Sequence, residues 1–167
     1  MDRLELIKAD ITQMNVDAIV NAANNSLMGG GGVDGAIHRA AGKSLLEECK
    51  ALKGCQTGDS KITNGYDLKA KHIIHTVGPV WYNGTQNEEA LLESCYRTAL
   101  ELATINNLKT IAFPSISTGA YRFPKDKAAK IAFRTIVNYL AKNTSIQKVY
   151  LVFFSDNDLE LMKRSIE

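Results

Sequence analysis

Three short apolar runs, Ile73-Ile74, Ile111-Ala112-Phe113 and the stretch over residues 149–154, constrain the fold of this 167-residue chain more than any other feature. A strand with one wet face alternates apolar and polar residues, whereas a near-continuous run of this length marks a strand covered on both faces. Strand signals fall at residues 4–8, 18–21, 60–63, 72–77, 110–113 and 148–154. Between them the period changes. Over residues 88–105 the apolar set Leu91, Leu92, Cys95, Tyr96, Ala99, Leu102 and Ala103 recurs at spacings of three and four, the pattern of a helix with one buried face. Over residues 124–141 Ala128, Ile131, Ala132, Thr135, Ile136, Tyr139 and Leu140 do the same, with Pro124 near the first turn, where its missing N–H is not needed. Shorter helices are expected at residues 44–52 and 158–166. Strands alternating with helices predict an α/β fold in three layers. No linker, repeat or low-complexity segment interrupts the chain, so a single domain is expected over residues 1–167.

Bulk properties narrow the function classes. No apolar run approaches the roughly 20 residues that span a bilayer, and the opening Met-Asp-Arg-Leu-Glu lacks the basic stretch and apolar core of a signal peptide. Cys49, Cys55 and Cys95 are odd in number and irregularly spaced, which predicts reduced thiols in a cytoplasmic protein rather than a disulfide framework. The net charge is +2, with Lys and Arg scattered among Asp and Glu. Without a dense basic stripe, nucleic acid is not an expected partner.

Chemistry concentrates after the second strand. Val20-Asn21-Ala22-Ala23-Asn24 runs into four consecutive glycines, Gly29 to Gly32, with Val33 and Asp34 at the threshold of a helix expected from Ala36-Ile37. Glycine N–H groups can curl around an anion at close range, and a helix start adds its unpaired N–H groups. The expectation is a phosphate cradle framed by Asn24 and Asp34. Each also has a plainer role available, Asp34 as helix N-cap and Asn24 as a turn former. Gly30 to Gly35 matches G-x-G-x-x-G, but the glycines come late after the strand and Asp59 precedes its strand instead of following it. A dinucleotide-binding unit is therefore rejected.

A second loop, Ser117-Thr118-Gly119-Ala120-Tyr121, follows the strand at residues 110–113 and could form a smaller cradle or an ordinary turn. Asp10-Ile11 follows the first strand and Phe154 ends the last. All these segments lie at strand carboxyl ends, where open α/β sheets build ligand crevices. Asp10 suits an exocyclic amine or a simple turn, and Phe154 suits a stacking face or the core. No metal site is expected: His72 and His75, three apart on a strand, point to opposite faces, and His38 reads as a helix-face histidine. Ser115 and Ser117 lack the G-x-S-x-G elbow of a serine hydrolase.

Taken in order, Ala9-Asp10-Ile11-Thr12, Val16 through Asn24, Gly29 through His38, His75-Thr76-Val77-Gly78-Pro79 and Phe113-Pro114 through Pro124 resemble the macrodomain family. More narrowly they resemble its MacroD-type branch, which binds ADP-ribose and removes it from substrates. The resemblance implies a three-layer α/β/α sandwich with a mixed central sheet. It also implies a site in which Asp10 holds the adenine amine and Ile11 adds a backbone contact. Gly32, Val33 and the loop Ser117, Thr118, Gly119, Ala120 and Tyr121 would wrap the diphosphate and distal ribose, and Phe154 would lie against adenine. Asn24 and Asp34 match the catalytic pair. Arg122 departs from the pattern by standing where many relatives have glycine, and the segment Trp81 to Thr85 is expected as either a lid or an exposed turn.

The activity so implied is hydrolysis of ester-linked mono-ADP-ribose on acidic protein side chains, of O-acetyl-ADP-ribose, or of both, by a monomer needing no cofactor. Its partners would be ADP-ribose derivatives and mono-ADP-ribosylated proteins. Two alternatives stay open at this stage: a non-catalytic ADP-ribose reader and an ADP-ribose 1″-phosphate phosphatase.

Overall fold

A computed structural model describes residues 2–167. Six strands, β1 (Leu4–Lys8), β2 (Ala18–Ala23), β3 (Ser60–Asn64), β4 (His72–Val77), β5 (Thr110–Phe113) and β6 (Lys148–Phe153), form one sheet in the order β1-β6-β5-β2-β4-β3. Every neighbouring pair is parallel except β3 and β4. The expected mixed sheet is thus a parallel body with one antiparallel edge strand.

Five helices cover it: α1 (Gly32–Ala41), α2 (Lys43–Leu52), α3 (Glu88–Ile105), α4 (Lys125–Lys142) and α5 (Asp156–Ser165). Alternation along the strands explains the three layers. Val20, Ile74, Phe113 and Leu151 pack with α3, α4 and α5 on one face, while Ile19, Ile73, Ala112 and Val152 pack with α1 and α2 on the other. Both faces are dry, so the central strands read as continuous apolar runs. Among the described residues no helix is long and apolar enough to cross a membrane. All three cysteines are free and buried.

Several boundaries differ from expectation, most by a single residue, and four of them bear on the site. β2 continues two residues further, to Ala23, because it pairs with β4 from Ala18↔His72 to Ala23↔Val77. α1 begins at Gly32 with Gly31 as its N-cap, so Asp34 is not the cap but a first-turn residue. A glycine run carries no side-chain signal of where a helix starts, and the nearest capping type was misleading. β6 stops at Phe153, which leaves Phe154 outside the sheet, and α5 starts at Asp156 under a Ser155 cap. A short 3-10 turn at Ile11–Gln13, unmarked in the sequence, follows β1.

Candidate active site

The segments after the parallel strands meet in a crevice of about 460 Å³, within the range of small-ligand sites. Ile11 follows β1, Asn24 and Gly30 to Asp34 follow β2, Ser115 to Tyr121 follow β5, and Phe154 follows β6; all of these line it. The expected Ser117, Thr118, Gly119, Ala120 and Tyr121 are brought to the same crevice as Gly32 and Val33. Gly78, Ala22 and Asp158 line it as well, without having been expected.

Asp10 is the exception. It is exposed and does not line the crevice. Its Oδ1 accepts from Thr12 N at 3.0 Å and Thr12 Oγ1 at 2.7 Å, which closes the 3-10 turn. The turn-forming role is real, and only Oδ2 remains for a ligand at the crevice's edge. Phe154 is 59% exposed despite its size, so it is not the last core residue of its strand but an aromatic face left in the crevice. Such a face suits stacking on a planar ring.

The first-turn N–H groups of α1 at Gly32, Val33 and Asp34 lack helical acceptors and stand at the crevice wall. They supply the partial positive charge that favours an anion there. Ser117 has φ +66° and a buried hydroxyl without a partner among the described residues, and it too lines the crevice. The Trp81–Thr85 segment lines nothing there and behaves as a brace. Trp81 N donates to Tyr121 O at 2.8 Å and its ring packs on Phe123 at 4.7 Å. The Glu88 carboxylate, buried at the start of α3, accepts from Tyr82 N at 2.7 Å and Gly84 N at 3.0 Å.

Asn24 and Asp34 converge beside Gly30. A Cβ added to Gly30 would lie 3.2 Å from Asp34 Oδ2 and 3.5 Å from Asn24 Nδ2. Asn24 serves its turn as well: Oδ1 accepts from Ser26 Oγ at 2.7 Å and Leu27 N at 3.2 Å, and Nδ2 donates to Gly29 O at 3.0 Å. One amide proton is left for a ligand. Asp34 is only 5% exposed. Its Oδ1 accepts from Asn21 Nδ2 at 2.8 Å and lies 3.5 Å from His38 Nε2, while Oδ2 faces Gly30. Burial raises its pKa above the usual Asp value, opposed by the Asn21 hydrogen bond and by His38.

Asn21, His75 and the close approach of His38 escaped the sequence reading. In the sequence His75 enters the metal argument and one of the resemblance motifs, and His38 reads as a helix-face histidine; neither reading gives a contact with Asp34 or Asn21. The available signal was a polar residue inside each of two apolar strands, Asn21 in β2 and His75 in β4. Only the register, Asn21↔His75, shows that the two meet. Among the described residues no cluster of three or more His, Cys, Asp or Glu side chains is placed to hold a metal ion.

With this geometry in view, comparison with known proteins is direct. The profile of the Macro domain family matches residues 20–132. ADP-ribose glycohydrolase MACROD2 of Xenopus laevis is 52% identical over 167 residues, covering 99% of this chain and 40% of its own length. An O-acetyl-ADP-ribose deacetylase of Salmonella newport is 52% identical over 166 residues, covering 97% of this chain and 93% of its own. The structure of an Oceanobacillus iheyensis macrodomain mutant with ADPR superposes with a TM-score of 0.93 at 45% identity, covering 98% of this chain and 91% of that one.

Proposed function

This chain belongs to the macro domain family, and on that premise we propose that it binds ADP-ribose and hydrolyses esters of it. The substrates are mono-ADP-ribose linked to acidic protein side chains, O-acetyl-ADP-ribose, or both. The observation that carries this reading is the convergence of Asp34 Oδ2 and Asn24 Nδ2 beside Gly30, at the glycine-lined wall of the crevice. The names of two relatives at 52% identity, a glycohydrolase and a deacetylase, support the same chemistry.

In this reading the diphosphate lies between the α1 N-terminus and the Ser117–Tyr121 loop, held by backbone N–H groups. Phe154 stacks on adenine, Ile11 adds a backbone contact, and the free Oδ2 of Asp10 takes the adenine amine at the crevice's edge. The remaining amide proton of Asn24 goes to the distal ribose. Asp34 Oδ2 accepts a proton from water, whose oxygen attacks the ester. Water adds across the bond, giving the free ribose hydroxyl and the carboxylic acid. A buried carboxylate with a raised pKa is a better base than a solvated one, and its fixed aim supplies the rest of its advantage.

The test follows free ADP-ribose and acetate from glutamate-linked mono-ADP-ribosylated protein and from O-acetyl-ADP-ribose, with ADP-ribose affinity measured in parallel. Asp34→Ala is expected to retain binding and lose about 10²–10⁴-fold in turnover, the usual contribution of one general base. Tight binding by the wild type with no turnover of either ester would leave a reader. Phosphate release from ADP-ribose 1″-phosphate in preference to both would make it a phosphatase.

A further inference from the structure

Behind the reactive carboxylate runs a file of buried polar groups that the proposed reaction leaves unused. It starts at Asp34 on α1 and crosses Asn21 on β2 and His75 on β4 to Thr63 on β3. Asn21 and His75 are both fully buried and directly opposite in the strand register. The direction of the file follows from its pairing with the carboxylate: Asn21 Nδ2 donates to Asp34 Oδ1, so the same amide nitrogen is also the donor facing His75 Nδ1. Burial drives the ring's pKa down to about 3, so the ring is neutral, Nδ1 accepts and Nε2 carries the proton. Thr63 Oγ1 at 2.9 Å is the acceptor for that proton, and the hydroxyl's own proton lies on Asn64 O at 3.1 Å. His75 Nδ1 accepts from Asn21 Nδ2 at 3.0 Å, and the second proton of the same amide donates to Asp34 Oδ1 at 2.8 Å. If the amide were turned over, its oxygen would face the carboxylate and two acceptors would oppose each other.

We propose that His75, acting through Asn21, is a positioning residue for Asp34. Its Nδ1 anchors the second proton of the amide that meets the carboxylate, so Oδ1 is gripped from inside and Oδ2 is left aimed at the crevice. The inference rests on the reading of Asp34 as the group that directs water. A polar file that merely satisfied its own members would leave Asp34's behaviour unchanged when its far end was altered. This one ends on one oxygen of the carboxylate and frees the other at Gly30. Two further groups face it: His38 approaches the same Oδ1 at 3.5 Å from the same helix, and the Cys49 thiol of α2 lies 4.0 Å from His75 Nε2 with its pKa pushed up to about 11, which keeps it a neutral thiol.

The experiment compares His75→Leu with His75→Asn, whose amide oxygen can replace Nδ1 as acceptor. Three quantities are read: the titration of the Asp34 carboxyl carbon by NMR, ADP-ribose affinity, and kcat on the ester. In His75→Leu, Asp34 is expected to titrate at higher pH and kcat to fall about tenfold, the rate equivalent of one hydrogen bond, with affinity retained. His75→Asn is expected to restore both. An unshifted Asp34 titration in folded His75→Leu overturns the proposal, as does an equal loss in His75→Asn. Should His75→Leu fail to fold, Thr63→Val frees the ring's proton to move while leaving His75 in place, and a wild-type Asp34 titration there overturns it equally. A wild type inactive on both esters would remove the hydrolase reading, while the NMR titration would still decide whether His75 positions Asp34.

Discussion

Asp34 sits under opposed influences, burial pushing its pKa up and Asn21 and His38 pulling it down, with burial the largest. Two pH effects follow. The proposed reaction needs the ionised form, so kcat on the ester should fall with acid around a pKa above the ordinary Asp value, a limb measurable by stopped-time assays and absent from Asp34→Ala. Stability moves the other way: a carboxyl with a raised folded pKa is most favourable in its protonated state, and its contribution is lost as pH climbs from the unfolded value through the folded one. His75 is the reverse case. Its folded pKa of about 3 lies below the 6.5 of the unfolded chain, so the unfolded state takes up the proton first as pH falls. Its contribution is complete above about 6.5 and is lost toward 3 at about 1.4 kcal/mol per pH unit. Urea unfolding across that window should show the slope, and His75→Asn should flatten it. The glycines divide as sharply. A Cβ at Gly31 meets nothing within 4 Å, whereas one at Gly35 would lie 2.4 Å from Gly30 O. Gly31→Ala should leave the unfolding midpoint in place, and Gly35→Ala should cost about 1–3 kcal/mol as overpacking.

At the scale of elements, two charged side chains hold pieces that local propensity leaves loose. Arg3, just before β1, donates to the carbonyls of Leu140 in the last turn of α4, of its C-cap Asn143 (2.9 Å) and of Ile146 (2.8 Å) in the loop that follows. The last carbonyls of a helix lack internal partners, and a cation there also meets the negative end of its dipole. Arg3→Met should destabilise by about 1.5–3 kcal/mol in urea unfolding, with turnover per folded molecule unchanged. Glu88 organises the Trp81–Thr85 brace: burial works against its ionisation, yet backbone N–H groups of Tyr82, Gln86 and Gly84 outweigh that and hold its carboxyl below the usual range. Glu88→Ala should speed hydrogen exchange at Tyr82 and Gly84 and loosen the Tyr121 loop that Trp81 N supports. Unchanged exchange there would remove the brace.

For the whole molecule, one sheet is shared by two hydrophobic clusters, one under α3, α4 and α5 and one under α1 and α2. Neither can lose its helices without exposing strands that the other needs covered. Residues 1–167 should therefore unfold as a single unit. The sole tryptophan, Trp81, reports the α3 side, while far-UV circular dichroism reports all helices. Coincident urea transitions by the two probes are expected, and separate transitions would divide the chain into independent parts. ADP-ribose, binding only the folded form, should raise the midpoint in both probes together.

Much of this was legible in the chain itself, for identifiable reasons. Apolar runs such as Ile111-Ala112-Phe113 announce strands covered on both faces, the period in residues 88–105 announces α3, and the glycines flanked by Asn24 and Asp34 mark the crevice. These are local patterns, carried by neighbours in sequence. The start of α1 was not legible, because glycines carry no capping signal. Nor was the exposure of Phe154, which depends on where β6 stops pairing. The bond from Asn21 to His75 joins residues 54 positions apart, and a polar side chain in an apolar strand reveals its partner only once register is set. Local pattern along the chain is enough for the class of fold and the glycine-lined wall, because both are carried by near neighbours. How Asp34 is held depends on strand pairing and burial, which exist only in the folded molecule.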